Sequence, residues 1–209
     1  MNSPPELPGS GRGVPPPFHI PERPTASAKP ASRIQLDSNM RRWFSRNLGL
    51  WRSRRLYFFS DGDVLRVDMQ LRIESFRDPV EGDAAYRFSW WPEQEHGFFE
   101  RKPRYVRQGV MEAYLCGHQL RRTTGYLEGT PNQSQIRQVD EHELIFESHY
   151  GGWDVLESIR LVDQDRYRSR SIYCWHDGEL ELAEIHHEIR LEPAGPPLSD
   201  QPQPAQQPA

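Results

Sequence analysis

The chain has 209 residues, with 26 basic and 30 acidic side chains and a net charge of −4. Acidic and basic residues alternate through its middle, which argues against nucleic acid as the main partner. No stretch reaches the ~18–20 apolar residues of a membrane-spanning helix, and the N-terminus lacks the apolar core of a secretory signal, so we expect a cytoplasmic protein without a membrane span.

Proline is concentrated at the two ends of the chain. Nine of the 19 prolines lie in residues 1–30 and six lie in residues 193–209, among glycine, serine, alanine and glutamine. Such segments bury too little apolar surface to offset the entropy of ordering. We therefore expect disordered tails at 1–35 and 193–209, and one folded domain at 36–192.

The first predicted element is a short helix within residues 36–50, LDSNMRRWFSRNLGL. Asp37 or Ser38 can cap its N-terminus, and Gly49 ends it. Four apolar side chains recur at helical spacing: Met40, Trp43, Phe44 and Leu48. The spacing predicts one apolar face that packs on the rest of the domain.

From Trp51 onward the apolar period changes to two, which is typical of β-strands with one buried face. Residues 64–74 alternate without a fault, and the turn at 60–63 joins them to the opening strand as a hairpin. Further strands are predicted at 85–91, 110–120, 133–139, 143–150, 153–162, 166–175 and 181–191.

Eight or more antiparallel strands after one short N-terminal helix predict an all-β fold. Closure removes the exposed edges of so many strands, which favours an up-and-down antiparallel β-barrel of the lipocalin or fatty-acid-binding type. A barrel of this size encloses room for one small ligand. A two-sheet sandwich is the structural alternative.

The opening strand GLWRSRRLYFF (49–59) contains three arginines among aromatic residues. By strand parity Arg55 shares a face with Trp51 and Tyr57, whereas Arg52 and Arg54 lie on the other face. Arg55 either enters the barrel or stacks on the aromatic rings at its rim with its charge in water.

Glu157 is a carboxylate in an otherwise apolar row of the strand at 153–162. A buried lone charge is costly, so Glu157 should be paired, protonated or directed at a ligand. Arg168 and Arg170 share one face of the next strand. An ion pair between Glu157 and one of these arginines is the simpler, purely structural interpretation.

The last strand alternates three side chains that could bind a metal, Glu184, His186 and Glu188. The opposite row contains Ile185 and Ile189, so we expect the polar row to face solvent and predict no metal site. Two distant cysteines fit neither a disulfide framework nor a zinc pattern. They are Cys116 and Cys174.

Several short motifs, in order, resemble those of the S/U-type phycobiliprotein chromophore lyases, the bilin-attaching proteins of cyanobacteria and related plastids. The resemblance covers residues 39–192. Its opening motif is met by Gly49, Trp51, Ser53 and Arg55. The other similar segments are FSWW (88–91), GYLEG (125–129), LIFESHYGGWDVLES (144–158), YRSRS (167–171) and EIR (188–190).

The resemblance implies a lipocalin-like barrel that binds a linear tetrapyrrole, phycocyanobilin or phycoerythrobilin, as substrate. It implies attachment of this bilin by a thioether bond to a cysteine of a phycobiliprotein subunit, namely apo-phycocyanin, apo-phycoerythrin or apo-allophycocyanin. A second lyase subunit or a homodimer is a further expected partner; no prosthetic group or metal is implied. The alternatives are a non-catalytic carrier of a bilin or another hydrophobic ligand, and an assembly chaperone for phycobiliproteins.

The site that we predict combines these motifs with strand parity. We expect the partner's thiolate to be the nucleophile, so the chain's own cysteines should be dispensable, and transfer should fall in Glu157→Gln and Arg168→Ala. Predicted catalytic residues are Glu157, which could bond to the pyrrole nitrogens of the bilin and favour its protonated form, and Arg168 and Arg170, which like Arg55 could bind its propionates. Predicted bilin-binding residues are Trp51, Ser53, Arg55, Tyr57, Trp90, Trp91 and Ser171.

Overall fold

The structure, a computed structural model, describes residues 34–76, 83–94, 97–124 and 132–192, with side chains from residue 39 onward. Both predicted tails lie outside the described residues, apart from Ile34 and Gln35 at the start of the first helix. The motif GYLEG also lies outside them. The described chain contains two helices and ten strands.

The ten strands form one closed antiparallel barrel. Each strand pairs with the next along the chain, and β1 pairs with β10 to close the ring. The predicted all-β, up-and-down barrel is therefore confirmed, and the sandwich is not formed. The strands are β1 (Gly49–Phe59), β2 (Val64–Phe76), β3 (Ala84–Pro92), β4 (Gly109–Cys116), β5 (Gln119–Arg122), β6 (Asn132–Gln138), β7 (Glu143–Tyr150), β8 (Trp153–Val162), β9 (Tyr167–His176) and β10 (Glu179–Glu192).

One predicted strand is in fact two. The run at 110–120 reverses direction at Gly117, whose φ of 58° suits glycine, and this turn makes the hairpin of β4 and β5. Leu115 and Leu120 face each other across the hairpin, and both are buried. The apolar pattern reads through the turn because the residues on both sides of it contribute to the same core.

Helix α1 (Ile34–Arg46) closes one end of the barrel. It begins before Asp37, so the predicted cap at Asp37 or Ser38 is wrong, and both residues lie inside the helix. Met40, Trp43 and Phe44 are buried in the core as predicted. Phe44 stacks on Tyr86 of β3 with ring centroids 4.9 Å apart, so the helix is held by aromatic packing.

Polar contacts fix the last turn of α1 to the barrel. Arg190 of β10 donates to the main-chain carbonyls of Arg46 and Leu48, which the helix itself leaves without partners. The guanidinium also lies over the Trp51 ring, 4.3 Å from its centroid, and the indole Nε1 donates to the carbonyl of Asn47 at 2.8 Å. Trp51 is thus a structural residue at the junction of helix and barrel.

A second helix, α2 (Phe98–Arg101), was not predicted, so the expectation of a single helix is wrong. Its one buried side chain, Phe98, packs on Tyr57 near the other end of the barrel, with centroids 4.7 Å apart. Lys102 follows the helix and pairs with Asp61 and Asp63 in the β1–β2 turn, at 3.1 and 3.2 Å. These contacts fasten the segment after β3 over the barrel.

Candidate functional site

The barrel encloses a cavity of about 150 Å³. Side chains of α1 line it at one end, and residues of α2 and the following loop line it towards the other. Apolar side chains from the strands form most of the wall: Val67, Met69, Leu71, Ile73, Leu120, Phe146 and Ile159. Half-exposed lining residues mark its mouth: Phe88, Trp90, Met111 and Thr124.

Charged side chains of the lining are predominantly basic. The lining contains four arginines and two glutamates: Arg55, Arg122, Arg168, Arg170, Glu157 and Glu184. Positive charge in excess inside an apolar cavity favours a ligand that combines an apolar body with acidic groups. The pairing of each arginine decides which of them can meet such a ligand.

The parity predicted for the opening strand is confirmed. Arg55 and Tyr57 line the cavity. Arg52 and Arg54 point outward, where they pair with Glu93 and Asp68. Burial raises the pKa of Tyr57 to about 12, so its hydroxyl stays protonated and can donate a hydrogen bond.

Trp51 and Ser53 also point into the barrel, but neither lines the cavity. Both side chains are fully buried. Trp51 is covered by Arg168 and Arg190, whose guanidinium carbons lie 4.7 and 4.3 Å from its ring centroid. Ser53 accepts a hydrogen bond from Nε of Arg55 at 3.1 Å. They therefore support the residues around the cavity and do not form its wall.

Trp90 lines the mouth, whereas Trp91 and Ser171 do not reach the cavity. Trp90 lies on Gly109 of β4, where an added Cβ would come within 2.6 Å of the indole ring. Trp91 pairs with Gln70 on the outer face of the sheet, since neighbouring residues of a strand point to opposite faces. The same parity places Ser171 outside, between Ser158 and Ile185.

Glu157 is the centre of a buried ion network. Its Oε1 accepts from Nε of Arg170 at 2.6 Å, and its Oε2 accepts from Nη2 of Arg122 at 3.1 Å. Arg122 also donates to Oγ of Ser134 at 2.5 Å. Burial raises the pKa of Glu157, and the charges of Arg122 and Arg168 oppose that rise. The structural ion pair foreseen for Glu157 is present, and Arg122 is an additional partner.

Arg168 is paired elsewhere, although it follows the same strand face as Arg170. Its Nε donates to Glu188, and its Nη1 donates to Oδ1 of Asn47 at 3.1 Å. Burial opposes ionisation of Glu188, but contact with Arg168 outweighs it and holds the pKa of this carboxyl below its usual range. Arg168 therefore links β9 and β10 to the end of α1.

Arg55 differs from the other arginines of the lining. Within the described part of the chain, no carboxylate lies within 4 Å of its guanidinium. Its side chain is half-buried, and Ser53 holds its Nε. Its remaining donors can therefore bind an acidic group of a ligand without first breaking an ion pair.

The predicted solvent face of β10 is wrong. Glu184, His186 and Glu188 point into the barrel and are 5%, 1% and 3% exposed. Nε2 of His186 and Oε2 of Glu184 are 2.9 Å apart. The polar row can lie inside because each member faces a partner, whereas Ile185 and Ile189 lie half-buried on the outer surface. The described residues contain no group of three side chains placed to hold a metal ion.

Glu184 has an environment unlike that of the other two buried glutamates. Burial raises its pKa to about 7, although Arg170 and Arg55 act in the opposite direction. The pKa of His186 lies well below its usual value, because burial and the nearby arginines disfavour the imidazolium. At neutral pH the pair is thus a carboxyl group that can gain or lose a proton beside a neutral imidazole.

Comparisons with known proteins identify the same barrel elsewhere. The S-type phycobiliprotein lyase CPES from Guillardia theta superposes with a TM-score of 0.54, at 17% identity over 72% of this chain and 92% of the lyase. This chain shares the fold of that lyase. The expected lipocalin-like architecture of the lyase family is therefore confirmed at the level of fold. No protein-family profile and no curated protein sequence matches the chain.

Two further structures are similar at lower scores. A protein of unknown function in the DUF3598 family of Nostoc punctiforme has a TM-score of 0.49, with 18% identity over 70% of this chain and 48% of that one. The protein Rv2717c of M. tuberculosis has a TM-score of 0.44, with 10% identity over 75% of this chain and 99% of that one.

Within the described residues no helix is long and apolar enough to cross a bilayer.

Proposed function

We propose that the chain is a bilin lyase, which binds a linear tetrapyrrole in the barrel and attaches it to a cysteine of a phycobiliprotein subunit. The observation that supports this most directly is Arg55, a cation directed into an aromatic cavity without a carboxylate partner among the described residues. A linear tetrapyrrole is a flat conjugated molecule with two propionates, so it offers both an apolar face and acidic groups. The fold shared with a phycobiliprotein lyase supports the same assignment.

In this proposal different residues of the cavity bind different parts of the bilin. Arg55 binds a propionate through its guanidinium N–H groups, which no carboxylate of the described residues engages. Trp90 and Phe88 pack on the ring system at the mouth. Arg168 and Arg170 were predicted to bind the propionates as well. In the structure they are bonded to Glu188 and Glu157, so their main role is to hold the cavity wall together.

The attacking thiolate belongs to the partner subunit. Burial raises the pKa of Cys174, which keeps it a thiol, and Cys116 follows the inward-facing Leu115 and so points away from the cavity. The partner's sulfur adds to the ethylidene carbon of the bilin, forming the C–S bond while the C=C becomes a single bond. The hydrogen of the thiol ends on the chromophore, so no oxidant or reductant is needed. The lyase supplies position and electrostatics.

A direct experiment incubates the purified protein with phycocyanobilin or phycoerythrobilin and each apo-subunit, apo-phycocyanin, apo-phycoerythrin and apo-allophycocyanin. Denaturing electrophoresis detects the covalent chromophore, and mass spectrometry identifies the modified cysteine. We expect one cysteine of one subunit to be modified faster than in a reaction without the protein. Tight bilin binding without acceleration would indicate a carrier, and faster subunit folding without bilin binding would indicate a chaperone.

A further inference from the structure

Glu184 is a second candidate for chemistry in the cavity, besides the groups already assigned. Its side chain lines the cavity. Its Oε2 is engaged by His186, whereas no described residue hydrogen-bonds to Oε1. One oxygen of the carboxyl group is therefore fixed in place and the other is available to a ligand.

His186 allows this carboxyl group to change its protonation state inside the barrel. A neutral imidazole that carries its proton on Nε2 can donate it to Oε2 both when the carboxyl group is ionised and when it is protonated on Oε1. Nδ1 of His186 is buried with no hydrogen-bond partner among the described residues, so neither tautomer is fixed from the far side of the ring. The contact at 2.9 Å thus survives both states of Glu184.

The charged and titratable groups around Glu184 come from every neighbouring element. On its own strand it faces His186; on β1 it faces Tyr57 and Arg55. The groups contributed by β8, β9 and the loop after α2 are Glu157, Arg170, Cys174, Arg104 and Tyr105. Burial is the strongest of these influences and it favours the protonated carboxyl at mildly acidic pH, with a pKa of about 7.

We propose that Glu184, positioned by His186, donates a proton from Oε1 to a pyrrole nitrogen of the bound bilin and then remains beside it as the counter-ion. This inference rests on the bilin-binding function proposed above, and it replaces Glu157 in that role. Glu157 is not suited to be the proton donor, because both its oxygens accept hydrogen bonds from arginines. The cationic chromophore attracts the partner's thiolate. The proton given by Glu184 stays on the adduct, and the proton that the thiol loses restores the acid form of Glu184, so the net transfer is one hydrogen from the thiol to the chromophore.

The test is a pH titration of the bound chromophore. Protonation of a bilin changes its long-wavelength absorption, so phycocyanobilin bound to the full chain can be followed from pH 5.5 to 8.5. We expect the wild-type complex to lose the protonated form of the chromophore as the pH rises through this range. In Glu184→Gln this transition should move to lower pH by at least about one unit, a tenfold change in the equilibrium constant.

Glu179→Gln is the matched control, since Glu179 is on the same strand but exposed on the surface. It should titrate as the wild type does. A wild-type titration curve in bilin-bound Glu184→Gln would overturn the assignment to Glu184. If Glu184→Gln does not fold, Glu184→Asp serves instead, because it keeps the carboxyl group and should retain a titration transition of the chromophore. The absence of that transition from bilin-bound Glu184→Asp would also overturn the assignment. Failure of the wild type to bind either phycocyanobilin or phycoerythrobilin would instead refute the proposed function.

Discussion

Arg55 and Glu157 are both charged residues in apolar rows, yet the structure gives them opposite roles. The guanidinium of Arg55 has no carboxylate partner among the described residues, whereas Glu157 neutralises two arginines. Strand parity placed both residues in the apolar rows of their strands and left open whether Arg55 enters the barrel. Parity cannot predict the pairing, because the partners of Glu157 come from β5 and β9, which are far from it along the chain or separated by a turn.

Arg55→Gln should weaken phycocyanobilin binding. Hydrogen bonds to charged groups contribute about 1.5–3 kcal/mol, so the dissociation constant should rise roughly 10- to 100-fold. An absorbance titration of the chromophore measures it. Arg54→Gln is the control, since the neighbouring arginine points outward and pairs with Asp68. Equal affinities for the two variants would exclude Arg55 from the binding site.

Glu157→Gln should lower the free energy of unfolding by about 3–5 kcal/mol, because it leaves Arg122 and Arg170 buried without their carboxylate. Urea denaturation measures this change. Glu192→Gln removes only an exposed pair with Arg72 and should cost less than about 1 kcal/mol. Similar stabilities for both variants would contradict the buried network. Because these substitutions also destabilise the barrel, a loss of bilin transfer in Glu157→Gln or Arg168→Ala is compared with the free energy of unfolding of the same variant.

Among the elements, β10 was the least predictable strand. The prediction assigned the wrong face of this strand to the interior. Both rows of the strand contain apolar residues, and the row that points inward is the more polar of the two. Burial of that row depends on β1 and β9, where Arg55 and Arg170 lie opposite His186. No signal within the strand itself reports those neighbours. Helix α2 was missed for a simpler reason, since its four residues are too few to show a period.

The interior row of β10 also makes stability depend on pH. The folded-state pKa of Glu184, about 7, lies above the ordinary 4.5, so the folded state binds this proton more tightly. The wild type therefore loses the Glu184 contribution as pH rises from about 4.5 to about 7. The lowered pKa of His186 changes stability with pH in the opposite direction, but His186 is present both in the wild type and in Glu184→Gln.

Glu184→Gln removes the first of these contributions. The stability of this variant relative to wild type should therefore be higher at pH 8 than at pH 5. Urea denaturation at both pH values measures the difference. The exposed change Glu179→Gln should shift stability equally at the two pH values. A pH-independent difference for Glu184→Gln would contradict the raised pKa.

Helix α1 was predicted from its apolar spacing, and its contribution to stability can be measured. Phe44 stacks on Tyr86 and is 4% exposed. Phe44→Ala should lower the free energy of unfolding by about 3–5 kcal/mol. Arg42→Ala, on the exposed side of the same helix, should change it by less than about 0.5 kcal/mol. If the two variants unfold alike, the helix does not close the barrel in solution.

For the whole molecule, closure of ten strands explains why sequence pattern alone predicted the architecture. Each of the ten described strands pairs with a neighbour on both sides, so none of them is an edge strand of an open sheet. The alternating pattern needs only an inside and an outside, which a barrel supplies. What the pattern could not supply is which charges meet across the interior, since that depends on the register of all ten strands.

Residues 1–30 should be dispensable for the barrel. The buried apolar residues of the described chain run from Met40 to Leu182. Deletion of residues 1–30 should leave the free energy of unfolding within about 0.5 kcal/mol of the full chain and leave the affinity for phycocyanobilin unchanged. Urea denaturation and absorbance titration measure the two quantities. Weaker binding by a truncated protein of normal stability would show that the N-terminal segment contributes to the site.

Closure of one barrel end by α1 has a kinetic consequence. With Met40, Trp43 and Phe44 filling that end, the proposed lyase reaction requires the partner's cysteine to reach a bilin that entered past Trp90 through the same mouth. In that reaction, bilin loading and bilin delivery would compete for this passage, so the proposed function predicts that the bilin binds first and the subunit second. A large excess of apo-subunit should consequently slow turnover by occupying empty barrels, and pre-loading the protein with bilin should abolish that inhibition in the first round.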